Sequence, residues 1–306
     1  MTLTAWAVTT GEIGMRTQAR GLAEAVADDV VELTVAGTWP WPRPRPSPPW
    51  PDTLVSCGRR SARWALAAKR ASGGRSLAVH IQDPRRDADA FDLVIAMEHD
   101  DIAEGSNVIK VATALHDLTP DKLDAAASAW QSRLEALGRP LVGVAIGGTL
   151  RGRAFTMADA EQLIAGLERA RSGADAALAI TPSRRTPAPV IARLQESFGS
   201  DPRAFVWDLE GDNPYRAILA LSNRLVVTSD SVSMVSEALA APGPVEVFDL
   251  GFARHVGFVQ DLVERRLVRR FEGDPSPPET SGPVNATIEV AEAVRRLLQA
   301  RTGVSG

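Results

Sequence analysis

The chain alternates short apolar runs with amphipathic stretches along its length. Leu3–Val8, Val30–Val35, Leu54–Cys57, Leu77–Ile81, Phe91–Met97 and Val108–Val111 read as strands of the first part. Met15–Ala27 and Ser61–Ala71 have helical spacing, with Ala19, Leu22, Ala23 and Val26 on one face of the former. The runs are apolar throughout, as parallel strands covered on both faces require. Thr119-Pro120 opens a helix reaching Leu137: Thr suits an N-cap and Pro the first helical turn. Gly138-Arg139-Pro140 ends it and predicts a domain boundary.

The rhythm then repeats. Strands are predicted at Leu141–Ile146, Ala176–Ile180, Ala204–Trp207, Leu225–Thr228 and Val245–Phe248. Helices are predicted at Met157–Ala170, Pro187–Ser197, Pro214–Leu221, Ser231–Leu239, His255–Arg265 and Ile288–Ala300. Strand–helix alternation in both halves predicts an α/β protein of two Rossmann-like domains, 1–138 and 139–283, with parallel sheets facing a cleft. A C-terminal helix, 284–306, is expected to pack back on the first domain.

The 306 residues suit two domains. Residues 1–138 carry 15 basic and 18 acidic side chains, and residues 139–306 carry 19 and 20. Neither half is basic, which argues against nucleic acid as a partner. A lone cysteine, Cys57, forms no internal disulfide and fits a reducing compartment. The start of the chain lacks a signal-peptide pattern, and no apolar run is long enough to span a bilayer. A cytoplasmic protein is expected. Three of the seven Trp and seven of the 21 Pro lie between Trp39 and Pro51. This segment reads as an extended loop whose Trp39, Trp41 and Trp50 suit either peripheral membrane contact at the inner face or packing on their own domain.

Ligands of open parallel sheets bind beyond the carboxyl ends of the strands. Five segments there carry suitable chemistry. Gly147-Gly148-Thr149 lets a phosphate approach the backbone, and Ser183-Arg184-Arg185 offers guanidinium forks, though a solvated pair on an exposed loop has the same residues. Ser229-Asp230-Ser231 with Ser233, Met234 and Glu237 joins a strand to a helix, with Glu237 placed for a ribose; an ordinary N-cap uses the same residues. Gly11 and Gly14 flank the first loop, which also reads as a tight turn. His80 and Asp83, in His80-Ile81-Gln82-Asp83-Pro84-Arg85, are candidate general bases, though Asp-Pro equally marks a turn. Walker A, GxGxxG and GxSxG patterns are absent. Glu98-His99-Asp100-Asp101 holds metal-type residues, but neighbours in one loop rarely chelate together, so no metal is expected.

The stretches Gly11–Gln18, Ser56–Ser61, His80–Arg85, Gly147-Gly148, Thr181–Pro187, Asn213-Pro214-Tyr215 and Thr228–Glu237 resemble the "elongated mitochondria" family. That family is similar to GT-B glycosyltransferases. The resemblance covers about residues 2–265 and implies a metal-independent transferase. The second domain would hold a nucleotide-diphospho-sugar, UDP-linked by expectation, as substrate rather than cofactor, through the residues above and Asn213. The first would take a lipid-linked or envelope acceptor, with Gly11, Gly14, Gln18, Arg59 and Arg85 on the acceptor side. Two alternatives stay open: a non-catalytic nucleotide-binding or scaffold protein with the same shell, and a UDP-sugar epimerase-like enzyme. Oligomeric state is not legible.

Overall fold

The computed structural model describes residues 2–35, 45–150, 152–252, 255–279 and 282–303. It divides into two compact units: 1–117 with 285–306, and 118–284.

The first unit contains β1 (Thr4–Thr9), α1 (Ile13–Val26), β2 (Asp29–Thr34), β3 (Thr53–Cys57), α2 (Arg59–Ala71), β4 (Leu77–Ile81), β5 (Leu93–Met97) and β6 (Val108–Val111). All strands are parallel, in the order β2-β1-β3-β4-β5-β6. The order reverses between β1 and β3. Strands β3 and β4 are wholly buried, as their continuous apolar runs require. Edge strand β2 is instead mostly exposed, because only one side of it is paired. Ala5, Ala7, Val55, Val79 and Ile81 face α1 and the C-terminal helix, Ala286–Thr302; that helix contributes Val290, Ala291 and Val294. Thr287 fastens it, donating its hydroxyl to the His116 carbonyl and accepting the His116 N–H, both at 2.9 Å. A Cβ at Gly21 would lie 2.3 Å from that carbonyl, so α1 reaches segment 116–117 only as glycine.

The second unit contains α3 (Pro120–Glu135), β7 (Leu141–Ile146), α4 (Met157–Ala174), β8 (Ala177–Pro182), α5 (Ala188–Phe198), β9 (Ala204–Val206), α6 (Tyr215–Leu221), β10 (Arg224–Thr228), α7 (Val232–Leu239), β11 (Val245–Phe248), α8 (Val256–Glu264) and β12 (Val268–Arg270). Its parallel order is β12-β11-β10-β7-β8-β9, reversing between β10 and β7. Capping drawn from the sequence forms as expected at α3, where Thr119 accepts the Lys122 N–H at 3.3 Å. In α4, Thr156 and Asp159 complete a capping box.

One expectation is corrected. The chain parts at 117/118 rather than at Gly138, because α3 packs on the second sheet: Leu134 shares a core with Leu141, Ala179 and Ile218. β12 is an additional edge strand, hidden in the sequence by its arginines. Among the described residues no helix is long and apolar enough to cross a membrane.

Candidate functional site

The reversal between β7 and β10 gathers three loops of the second unit at the carboxyl ends of β7, β8 and β10. They are Gly147–Thr149, Ser183–Thr186 and Ser229–Ser231. Asp230 is their hub. Its side chain is completely buried and accepts the Gly148 N–H at 2.8 Å and the Thr228 hydroxyl at 2.6 Å. Arg185 closes on it at 3.0 Å. Gly147 donates its N–H to Thr228 Oγ1 at 2.8 Å, and its carbonyl accepts the Thr186 hydroxyl. The glycines serve this packing: a Cβ on Gly148 would lie 2.0 Å from the Arg185 carbonyl oxygen.

Ser229 is likewise turned inward. Its hydroxyl donates to Asp249 at 3.1 Å and accepts the Leu250 N–H at 2.9 Å, while His255 Nδ1 donates to its carbonyl at 2.9 Å. Burial works against the charge on Asp249, but the Gly251 N–H, the Ser229 hydroxyl and Arg270 outweigh it and hold its pKa below the usual range. Thus Ser229 and Asp230 are turned inward and Arg185 pairs with Asp230, so that all three brace the loops after β7, β8 and β10. Ser231 caps α7, accepting the Met234 N–H at 3.3 Å.

Beside these loops lies a cavity of about 200 Å³. Ser183, Arg184, Asn213 and Met234, all named from the sequence, line it together with Thr181, Pro182, Trp207 and Tyr215. Trp207 escapes sequence reading. Its only signal is an aromatic at the exit of a short strand, and nothing in the sequence says that β9 lies beside β8. Its indole donates to the Glu210 carbonyl at 2.7 Å, which fixes the ring. Asn213 accepts the Tyr215 N–H at 2.9 Å. The Tyr215 hydroxyl is buried. That burial, reinforced by the neighbouring Glu237 carboxylate, pushes its pKa well up. Ser233 lies half-buried in the first turn of α7, and Thr149 is exposed at the end of its loop. Arg184 is exposed and Arg185 closes on Asp230, so the two arginines part company.

In the first unit the reversal between β1 and β3 brings Gly11–Gly14 and the start of α2 to the same sheet end. Gly11 has φ +100°, and its N–H reaches Thr9 Oγ1 at 3.2 Å, so part of its signal is turn geometry. Gly14 and Gln18 are half-buried on α1. Gly58 touches Met15 closely enough that a Cβ would lie 2.5 Å from Sδ. Asp83 accepts the Arg85 N–H at 2.7 Å and pairs with its guanidinium at 3.0 Å.

His80 is corrected. It is wholly buried, with Nδ1 2.8 Å from Ser56 Oγ and its ring stacked on Phe91. Burial pulls its pKa down to about 4. It packs in the core of the first unit rather than at its surface. Cys57 is also buried, which pushes its thiol pKa up and suits a packing role. Trp39 and Trp41 lie outside the described residues. Trp50 rests against Trp6, with ring centroids 6.0 Å apart, and so belongs to its own unit's core. No group of three or more His, Cys, Asp or Glu among the described residues is placed to hold a metal.

The family model described as "Mitochondrial fission ELM1" matches residues 13–298. The Mitochondrial fission protein ELM1 of Arabidopsis thaliana is 32% identical over 277 residues, covering 82% of this chain; the chain spans 65% of that relative's length. A solved UDP-N-acetylglucosamine 2-epimerase superposes with TM-score 0.61 at 13% identity, over 100% of this chain and 98% of its own. MurG from Acinetobacter baumannii gives 0.53 at 12%, over 97% and 92%. At such identities the likeness speaks for the fold, which is of the GT-B type.

Proposed function

The chain belongs to the mitochondrial fission ELM1 family, and from that premise we propose that it is a GT-B-like glycosyltransferase whose second unit binds a nucleotide-diphospho-sugar. One observation carries the reading: the 200 Å³ cavity opens beside three loops at the strand-order reversal, with Arg184 exposed at its wall. The nucleoside would enter the cavity between Trp207 and Met234, beside Asn213. The diphosphate would lie against Thr149, Ser183, Ser231 and the start of α7, where free N–H groups and the helix dipole favour anions. Ser233 would add a hydroxyl. Arg184 would balance charge as the bond from the sugar carbon to the diphosphate oxygen breaks. UDP is the first nucleotide to try, since the superposed epimerase acts on a UDP-sugar by its name.

The first unit would hold the acceptor near Gly11, Gly14, Gln18 and Arg59. Asp83, kept in place by Arg85, would take the acceptor hydroxyl's proton as that oxygen bonds to the sugar carbon. The chemistry asks for no metal.

Calorimetry with UDP tests the donor site. Binding that weakens in Arg184→Ala supports it; no binding below millimolar UDP, or binding unchanged in that variant combined with Ser231→Ala, rejects it. Product analysis after incubation with UDP-N-acetylglucosamine separates transfer from 2-epimerisation. UDP binding without transfer, hydrolysis or epimerisation would leave a nucleotide-binding scaffold.

A further inference from the structure

Five arginines converge on one cavity of the first unit. It measures about 240 Å³. Arg59, Arg60 and Arg63 come from the opening turns of α2, and Arg85 and Arg86 from the loop after β4. Leu66 supplies an apolar floor. Opposing charge is sparse. Among the described residues Asp87 is the one carboxylate in the wall, Asp83 is engaged with Arg85 at 3.0 Å, and Arg60 acts on Glu12. Among the described residues, Arg59, Arg63 and Arg86 have neither an ion pair nor a side-chain hydrogen bond. Like charges gathered this way repel one another, and among the described residues Arg59, Arg63 and Arg86 have no ion pair that offsets it.

The positive end of a helix dipole favours acids in the first turn, yet α2 has none there and begins Arg59-Arg60. The partner loop holds Gln82, Arg85 and Asp87 at φ +78°, +68° and +57°, a left-handed backbone that side chains other than glycine adopt at a cost. Two separate segments thus accept unfavourable local arrangements while placing their arginines along one cavity.

We propose that this cavity binds a phosphate-bearing group, a diphosphate or a phosphomonoester, with guanidinium forks on its oxygens. Several phosphoryl oxygens match several forks, which one carboxylate does not. In the transferase reading, on which this step rests, that group belongs to the acceptor; the binding site itself does not depend on that reading.

The test titrates inorganic diphosphate, and separately UDP, into the full chain. The wild type is compared with Arg63→Ala/Arg86→Ala and with the charge-conserving Arg63→Lys/Arg86→Lys. These side chains are exposed, and a thermal melt checks that each variant folds. Diphosphate binding should weaken about tenfold or more in the alanine pair and partly in the lysine pair, with UDP binding unchanged. Diphosphate binding equal in all three proteins, or displaced from wild type by UDP, overturns the proposal and leaves the donor site standing. Diphosphate binding without UDP binding overturns the donor site and leaves this one standing. Phosphatidylcholine vesicles with and without phosphatidic acid identify the source. Sedimentation that needs phosphatidic acid and the two arginines supports a lipid-borne phosphate; diphosphate binding without sedimentation supports a soluble one. Variants that keep both diphosphate binding and sedimentation count against the lipid-borne and the soluble phosphate alike.

Discussion

The Asp230 carboxylate stands where any side chain at position 147 would have to go: a Cβ on Gly147 would lie 2.0 Å from Oδ2. The loops after β7 and β10 are therefore one packed unit, and the glycine serves the protein before it serves a ligand. Gly147→Ala should cost about 1–3 kcal/mol by forcing the loops apart. Thermal melting and UDP calorimetry together check this; a variant with unchanged melting temperature would show that the loops yield freely.

Asp230→Ala removes the acceptor for Gly148, Thr228 and Arg185 at once. A loss of about 2–4 kcal/mol is expected, because buried donors are left without partners. Asp230→Asn keeps the shape and should lose less. Urea midpoints of the two variants decide the order, and equal loss would mean that charge rather than shape holds the loops.

Glu246 is buried between two arginines, Arg224 and Arg269, the latter at 2.8 Å. Arg224 also donates to the Pro275 carbonyl at 3.2 Å and Arg269 to that of Ser276 at 2.5 Å. The network ties β10, β11 and β12 to the segment before the C-terminal helix. Glu246→Gln leaves Arg224 buried with an uncompensated charge and should cost about 3–5 kcal/mol. Replacing all three by Leu, Met and Met removes the charges together and should cost less than the single change. Denaturant unfolding of both variants checks the ordering.

The central strands are legible because a strand covered on both faces reads as an unbroken apolar run, as in Leu141–Ile146. β12 is not: it pairs with β11 and its Arg269 meets Glu246, long-range contacts that no local pattern encodes. The boundary is misread because the apolar face of α3 shows that it packs, not on which sheet. At the site the residue types are readable and their directions are not. Ser229 and Asp230 carry ligand-type chemistry, but the turn after β10 points both inward. Trp207 follows a strand whose position beside β8 is set by long-range pairing. His80 reads as catalytic beside its loop, yet it sits on the buried strand before it.

Trp207 and Tyr215 wall the candidate nucleoside cavity from two different segments. Trp207→Ala should weaken UDP binding by about tenfold to a hundredfold, the range for losing an aromatic stacked on a base. Tyr215→Phe removes a buried hydroxyl beside Glu237 but keeps the wall, so it should leave affinity within a few-fold. Calorimetry on both variants distinguishes ring stacking from hydrogen bonding. A larger loss for Tyr215→Phe would place the polar contact first.

His80 and His116 are both fully buried, and burial pulls each down to about 4 from an ordinary value of 6.5. The folded protein holds them neutral, whereas the unfolded chain takes up protons below pH 6.5. Their contribution is therefore whole above that pH and is lost as pH falls toward about 4. A tenfold difference in proton affinity between folded and unfolded chain is worth about 1.4 kcal/mol, so each histidine accounts for a loss on the order of 3 kcal/mol across that window. The lowered carboxylates Asp159, Asp201 and Asp249 act further down, below their ordinary 3.8. Unfolding free energy measured by urea at successive pH values should fall through the histidine window in the wild type. The fall should be shallower in His80→Gln and shallowest in His80→Gln/His116→Gln. A parallel slope in all three proteins would assign the acid sensitivity to other groups.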